Sequence, residues 1–174
     1  MKLFKMKNQL IVLLLFLGMI NASAQISKAE IMATGLTCSM CSNAINKQLK
    51  AMPEVEKVNI DLNTNTFEVV FKKNAAITPL VLKNSIEKTG FFVGSMILTI
   101  EGNTVEPKDN GSFKNASGTY VFVTPKASAS KGSLRLKILN NGFVTKKEFK
   151  QSSKLLSKYQ GFGAQEGIYL VKTI

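Results

Sequence analysis

The sequence has no histidine and only two cysteines, and these shortages remove most enzyme chemistry at once. Without imidazole there is no Ser-His-Asp triad, no histidine proton shuttle and no histidine for a zinc site. Neither a phosphate-binding glycine loop nor a carboxylate pair in a catalytic setting is present. Any thiol or soft-metal chemistry falls to Cys38 and Cys41, and thiol–disulfide exchange is the one enzyme reaction left open.

Both cysteines stand in Gly35-Leu36-Thr37-Cys38-Ser39-Met40-Cys41. Before it, Ala29, Ile31 and Ala33 alternate with Lys28, Glu30 and Met32, the period of a half-buried strand. After it, Ile45, Leu49 and Met52 recur at helical spacing with Asn46, Lys47 and Lys50 between them. The motif is expected to be a strand-to-helix loop, with Thr37 or Ser39 as the helix cap. Free amides and the positive end of a helix dipole favour thiolate over thiol, as nearby lysines do. A C-x-x-C spacing lets both sulfurs converge on one ion. Two thiolates fall short of the four ligands zinc normally takes, whereas soft ligands select Cu(I) or Hg(II). The same spacing also serves a structural disulfide, a thioredoxin-type redox dithiol or a half-site completed by a second chain.

The motif, the helix after it, a strand ending Val58-Asn59-Ile60-Asp61, a strand from Phe67 to Phe71 and the run Ile86-Glu87-Lys88-Thr89-Gly90-Phe91 together resemble the heavy-metal-associated domain. The resemblance covers about Lys28 to Ser95, under half of the chain. It implies a ferredoxin-like βαββαβ domain that binds a soft metal, usually Cu(I), through Cys38 and Cys41, as in copper chaperones and the amino-terminal domains of copper pumps. Phe91 or Phe92 lies where the family has an aromatic close to the metal loop, and the resemblance implies that Phe91 shields the site and that Lys88 balances the charge of a bis-thiolate complex; Thr37 is a further candidate beside the ligands. Two departures stand out: Leu36 where the family usually has Met, a tolerated apolar swap, and Met52-Pro53-Glu54-Val55 where it often has Pro-Gly. Of the methionines, Met52 is expected in the core and Met40 in solvent.

Residues 1–24 read as a secretory signal, with Lys2, Lys5 and Lys7, an apolar run from Leu10 to Ile20, and cleavage after Ala22-Ser23-Ala24. The run is shorter than the roughly 20 residues of a spanning helix, so no stable membrane span is expected after cleavage. Export to the periplasm is the expected location, and the pair must there be kept from closing into a disulfide. Removing the three lysines lowers the formal charge from +12 to +9. The basic excess is dispersed lysine rather than an arginine patch with aromatics, which argues against nucleic acid and for solubility, an acidic partner or an anionic membrane surface.

The expected class is α+β: a signal peptide over 1–24, the metal-binding domain over 25–95, and a small β-rich module with one helix over 96–174. In the first domain Val58, Ile60 and Leu62 form the buried side of one strand, and Phe67, Val69 and Phe71 that of its hairpin partner. Thr78-Pro79 opens a second helix with Leu82, Ile86 and Val81 inward, and Gly90 ends it. In the second module, residues 106–112 read as loop. Met96 to Glu101, Thr119 to Thr124, Ser133 to Leu139 and Ile168 to Ile174 read as strands, and Thr145 to Tyr159 as an amphipathic helix with Lys146, Lys147, Lys150, Lys154 and Lys158 on its solvated face. Such a module resembles an OB fold.

The leading expectation is an exported carrier that holds Cu(I) and yields it by thiolate exchange to a partner such as a copper pump or exporter. A periplasmic mercury(II) scavenger is the runner-up. From other classes come a dithiol oxidoreductase, disfavoured because the loop lacks the aromatic and proline common in thioredoxin-like motifs, and an adaptor whose second module does the main work.

Overall fold

The computed structural model describes residues 25–101, 111–124, 133–159, 161 and 165–174. The expected export signal over 1–24 and residues 106–110 of the expected loop lie outside them. Strand β1 (Gln25–Thr34) leads through the cysteine loop into α1 (Ser39–Lys50), then β2 (Val55–Asp61), β3 (Thr66–Phe71), α2 (Pro79–Glu87) and β4 (Phe92–Glu101). These elements make the ferredoxin-like order β2-β3-β1-β4 with antiparallel pairing throughout.

Alternation decides which face is buried. Ala29, Ile31 and Ala33 of β1, Phe67, Val69 and Phe71 of β3, and Met96, Leu98 and Ile100 of β4 point to one side and pack with Ile45 and Leu49 of α1 and Leu82 and Ile86 of α2. Thr78 caps α2 by accepting a hydrogen bond from the Val81 amide at 3.2 Å, and Pro79 takes the first helical position. Two expected inward residues face water instead: Leu62 lies past the end of β2 and Val81 on the outer side of α2, 58% and 46% exposed.

The second half comprises β5 (Ser112–Asn115), β6 (Gly118–Thr124), β7 (Ser133–Ile138), α3 (Lys146–Leu156), a 3-10 turn (Ser157–Tyr159) and β8 (Ile168–Thr173). The module is β-rich with one helix, as the pattern predicts. Its described strands do not close into an OB-like barrel; they continue the first domain's sheet, giving one eight-stranded order β2-β3-β1-β4-β7-β8-β6-β5. The expected boundary at 95/96 falls inside β4, which pairs with β1 on one side and with β7 on the other, from Ile97↔Lys137 to Glu101↔Ser133. Ser112, expected in a loop, opens β5.

Strands β6 and β8 run parallel and are buried on both faces. Tyr120, Phe122, Tyr169 and Val171 join the main core, while Val121, Val123 and Leu170 face the other way and meet Leu156, Tyr159 and Phe149 from α3 and the turn after it. Helix α3 thus packs on the face opposite α1 and α2. Its cap, Thr145, accepts from the Glu148 amide and donates its own amide to the Gly94 carbonyl of β4 at 3.1 Å. Among the described residues no helix is long and apolar enough to cross a membrane.

Candidate metal centre

The loop between β1 and α1 begins at Gly35, whose φ of +88° lies in the left-handed region that other residues enter at a cost. A Cβ there would stand 3.8 Å from Phe91 Cδ1, so the phenylalanine ring lies against the base of the loop. Leu36 and Phe91 are partly buried against the main core and anchor the loop, while Phe92, its neighbour opposite Thr34 in the β1–β4 ladder, is 62% exposed.

Cys38 is the residue at which the helix starts. Its backbone is extended and its carbonyl accepts from the Cys41 amide at 3.1 Å. The expected side-chain cap is absent: neither Thr37 nor Ser39 fills the role, and Ser39 is the first helical residue. Thr37 instead serves the sulfur. Its amide and hydroxyl, with the Cys38 amide, favour the thiolate form of Cys41.

The two sulfurs lie 3.0 Å apart and are not bonded; Cys38 is exposed and Cys41 half-buried. Hydrogen bonding from Cys38 is the largest cause that lowers the Cys41 thiol below its ordinary pKa, followed by the Thr37 amide, while partial burial opposes them. No acid occupies the first turn of α1 to oppose a thiolate. Among the described residues no third cysteine, histidine, aspartate or glutamate joins the pair. Such a donor set is open, soft and low in number, which fits a thiophilic cation and does not fit a closed structural zinc site.

The remaining candidates are spread around this pair. Lys88 caps the end of α2 in an exposed position and is not among the groups that perturb Cys41. Met40 projects into solvent at 80% exposure, and Met52 packs against the core, both as expected. Sequence reasoning missed the part played by the Thr37 amide, because a backbone donor leaves no mark in residue type. A glycine just ahead of the motif was the available signal for the left-handed turn that aims it.

A strand-to-helix loop with paired thiols on a ferredoxin-like sheet defines a class of cation-binding domain, and residues 30–92 match the model of the heavy-metal-associated domain. The match to the heavy-metal-associated domain covers that segment, about a third of the chain. It is similar to a copper-transporting ATPase of Saccharomyces cerevisiae, 42% identical over 57 residues, which is 33% of this chain and 6% of the ATPase. A copper-exporting P-type ATPase of Bacillus subtilis is 37% identical over 60 residues, 34% of this chain and 7% of that protein. The solution structure of the yeast copper transporter domain Ccc2a, in apo and Cu(I)-loaded states, is 38% identical, covers 37% of this chain and 86% of that domain, and has a TM-score of 0.33. The chain therefore spans only a small fraction of the length of the ATPases it matches.

Proposed function

We propose that the protein binds Cu(I) between Cys38 and Cys41 and passes it to a partner by thiolate exchange. The observation that carries this reading is the unbonded sulfur pair, 3.0 Å apart on an exposed loop. The Cys38 and Thr37 groups beside Cys41 lower its thiol below the ordinary value, which favours the form that ligates a soft ion. With Cys38 exposed, an acceptor's thiolate can approach the ion, enter its coordination sphere and displace one of the chain's sulfurs, which leaves as a thiolate. Named relatives that transport copper support the choice of ion. Cys38 is exposed and Cys41 half-buried, the openness of a carrier rather than the enclosure of an active site.

In this proposal the protein is exported, is not itself an enzyme, and hands its ion to a copper pump or exporter. The test is a competition with a Cu(I) chelator under anaerobic reduction, repeated with Hg(II). The expected result is binding of one Cu(I) per chain that is lost in a Cys38→Ser, Cys41→Ser double variant. Equal copper binding by that variant would sink the proposal, and a strong preference for Hg(II) would move it to mercury scavenging.

A further inference from the structure

On α3 and the turn that follows, Lys146, Lys147, Lys150, Lys154 and Lys158 all lie on the exposed side, and among the described residues none of them forms an ion pair. The one acid in the helix, Glu148, is turned away to Lys137 of β7 at 2.6 Å. An ordinary solvated helix face mixes signs at i and i+4, because like charges there repel. Here Lys146 and Lys150, Lys150 and Lys154, and Lys154 and Lys158 all repeat at that spacing. Lys146 and Lys147 also occupy the first turn, where the helix dipole disfavours positive charge. Lys154, in the last turn, suits the dipole, but the like-charge spacing and the first-turn pair oppose the helix, so folding does not account for the stripe as a whole.

The composition of the stripe indicates what it meets. Protein interfaces are depleted in lysine at their cores and anchored by arginine, tyrosine and tryptophan. This face has no arginine, and the helix's aromatics are turned inward: Tyr159 is buried and Phe149 is packed under the helix. Clusters of four to eight lysines on a helix suit a surface of mobile negative charges, where long flexible stems follow many headgroups without fixed pairing. The apolar side of α3 is committed to Val121, Val123, Val144 and Leu170, so the helix cannot roll over to insert, and attraction is electrostatic. Leu155, 37% exposed, is the one large apolar side chain of the helix in the exposed class, and Phe149 is partly buried.

We propose that the lysine face of α3 is a docking surface for anionic lipid headgroups, which lays the second half of the protein against a membrane. The surface lies on the side of the sheet away from α1.

The test uses the chain from Gln25 onward, which holds every described residue and omits the apolar run Leu10–Ile20 that would enter lipid unaided. It should sediment with vesicles of equal parts phosphatidylglycerol and phosphatidylcholine, fail to sediment with phosphatidylcholine alone, and come off as salt rises. A Lys147→Gln, Lys150→Gln, Lys154→Gln variant should lose about a hundredfold in vesicle partition, and the matching arginine variant should retain it. Glutamine keeps the helix nearly as well as lysine, and thermal melts of each variant control for folding. The control Lys50→Gln, Lys57→Gln, Lys73→Gln makes the same change in net charge on the first domain and should stay within about threefold of the parent. No sedimentation with anionic vesicles, or equal losses in stripe and control variants, overturns the proposal. Tighter binding of polyglutamate than of vesicles, abolished by the stripe variant, overturns it in favour of an acidic protein partner.

Discussion

Cys38 Sγ lies 3.0 Å from Cys41 Sγ, and this contact is the largest cause that lowers the Cys41 thiol. The order of the causes gives a direct prediction. Cys38→Ala should raise the midpoint of the pH profile for Cys41 alkylation, and Thr37→Ala should raise it by less, because it removes only the hydroxyl and leaves the amide that contributes more. Iodoacetamide rates across pH, read at Cys41 itself from the mass of its alkylated peptide, measure both, with Cys38→Ala as the background for the second comparison. A Thr37→Ala shift larger than that of Cys38→Ala would contradict the arrangement.

On the open face of the sheet, Lys28 Nζ sits 3.0 Å from Glu68 Oε2 and 3.3 Å from Glu30 Oε1, and Arg135 of β7 reaches Glu30 at 2.8 Å. The Lys28 ammonium, with the Asn59 amide, holds the Glu68 carboxyl below the usual carboxylate range, and Glu68 holds Lys28 up. Folded Glu68 gives up its proton more readily than in the unfolded chain, so its contribution is present above the unfolded value and disappears as pH falls through the folded one. For Lys28 the contribution is complete below the ordinary lysine value and is lost as pH rises through the raised one. Glu68→Gln should therefore destabilise by less than about 1 kcal/mol at neutral pH, since the pair is solvent-accessible, and by nothing in strong acid. Denaturant titrations at the two pH values show whether the difference closes.

Adjacent phenylalanines should behave differently. Phe91 packs on the core and against Gly35, so Phe91→Ala should cost on the order of 2 kcal/mol, short of the ~3–5 kcal/mol of a fully buried ring. Phe92, 62% exposed, should change stability by about 0.5 kcal/mol or less when cut to alanine. Urea unfolding of the two variants is sufficient, and equal costs would contradict the assignment of Phe91 to the loop's base.

Cutting the chain after Ser95 should abolish cooperative unfolding, because it removes Met96, Leu98 and Ile100, all buried, and the β4 half of their ladder with β1. Ending the chain after Glu101 keeps those residues and should restore a cooperative transition, weakened by the loss of β7 from the β4 edge. A sharp native melt from the shorter form would show that β4 does not hold the first half together.

Local chemistry was legible in the amino-acid order. Alternation marked β1, β2 and β3, and strand-forming runs between turn residues marked β6 and β8; three-to-four spacing marked α1 and α3; Thr78-Pro79 marked the start of α2, as the hydrogen bond at Val81 bears out. The cysteine loop was readable for the same reason, since its two sulfurs are close in sequence and a strand-to-helix turn is a local event. Tertiary structure decided the rest. An alternating strand such as β4 reads the same at a sheet edge as in its middle, so nothing local announced that β7 would continue the first domain's sheet or that β6 and β8 would pair in parallel. Pairing is chosen by the burial of both faces between segments far apart in the chain. That same long-range burial decided that Phe91 and not Phe92 would lie beneath the loop, and that the lysines of α3 would face away from α1 and α2.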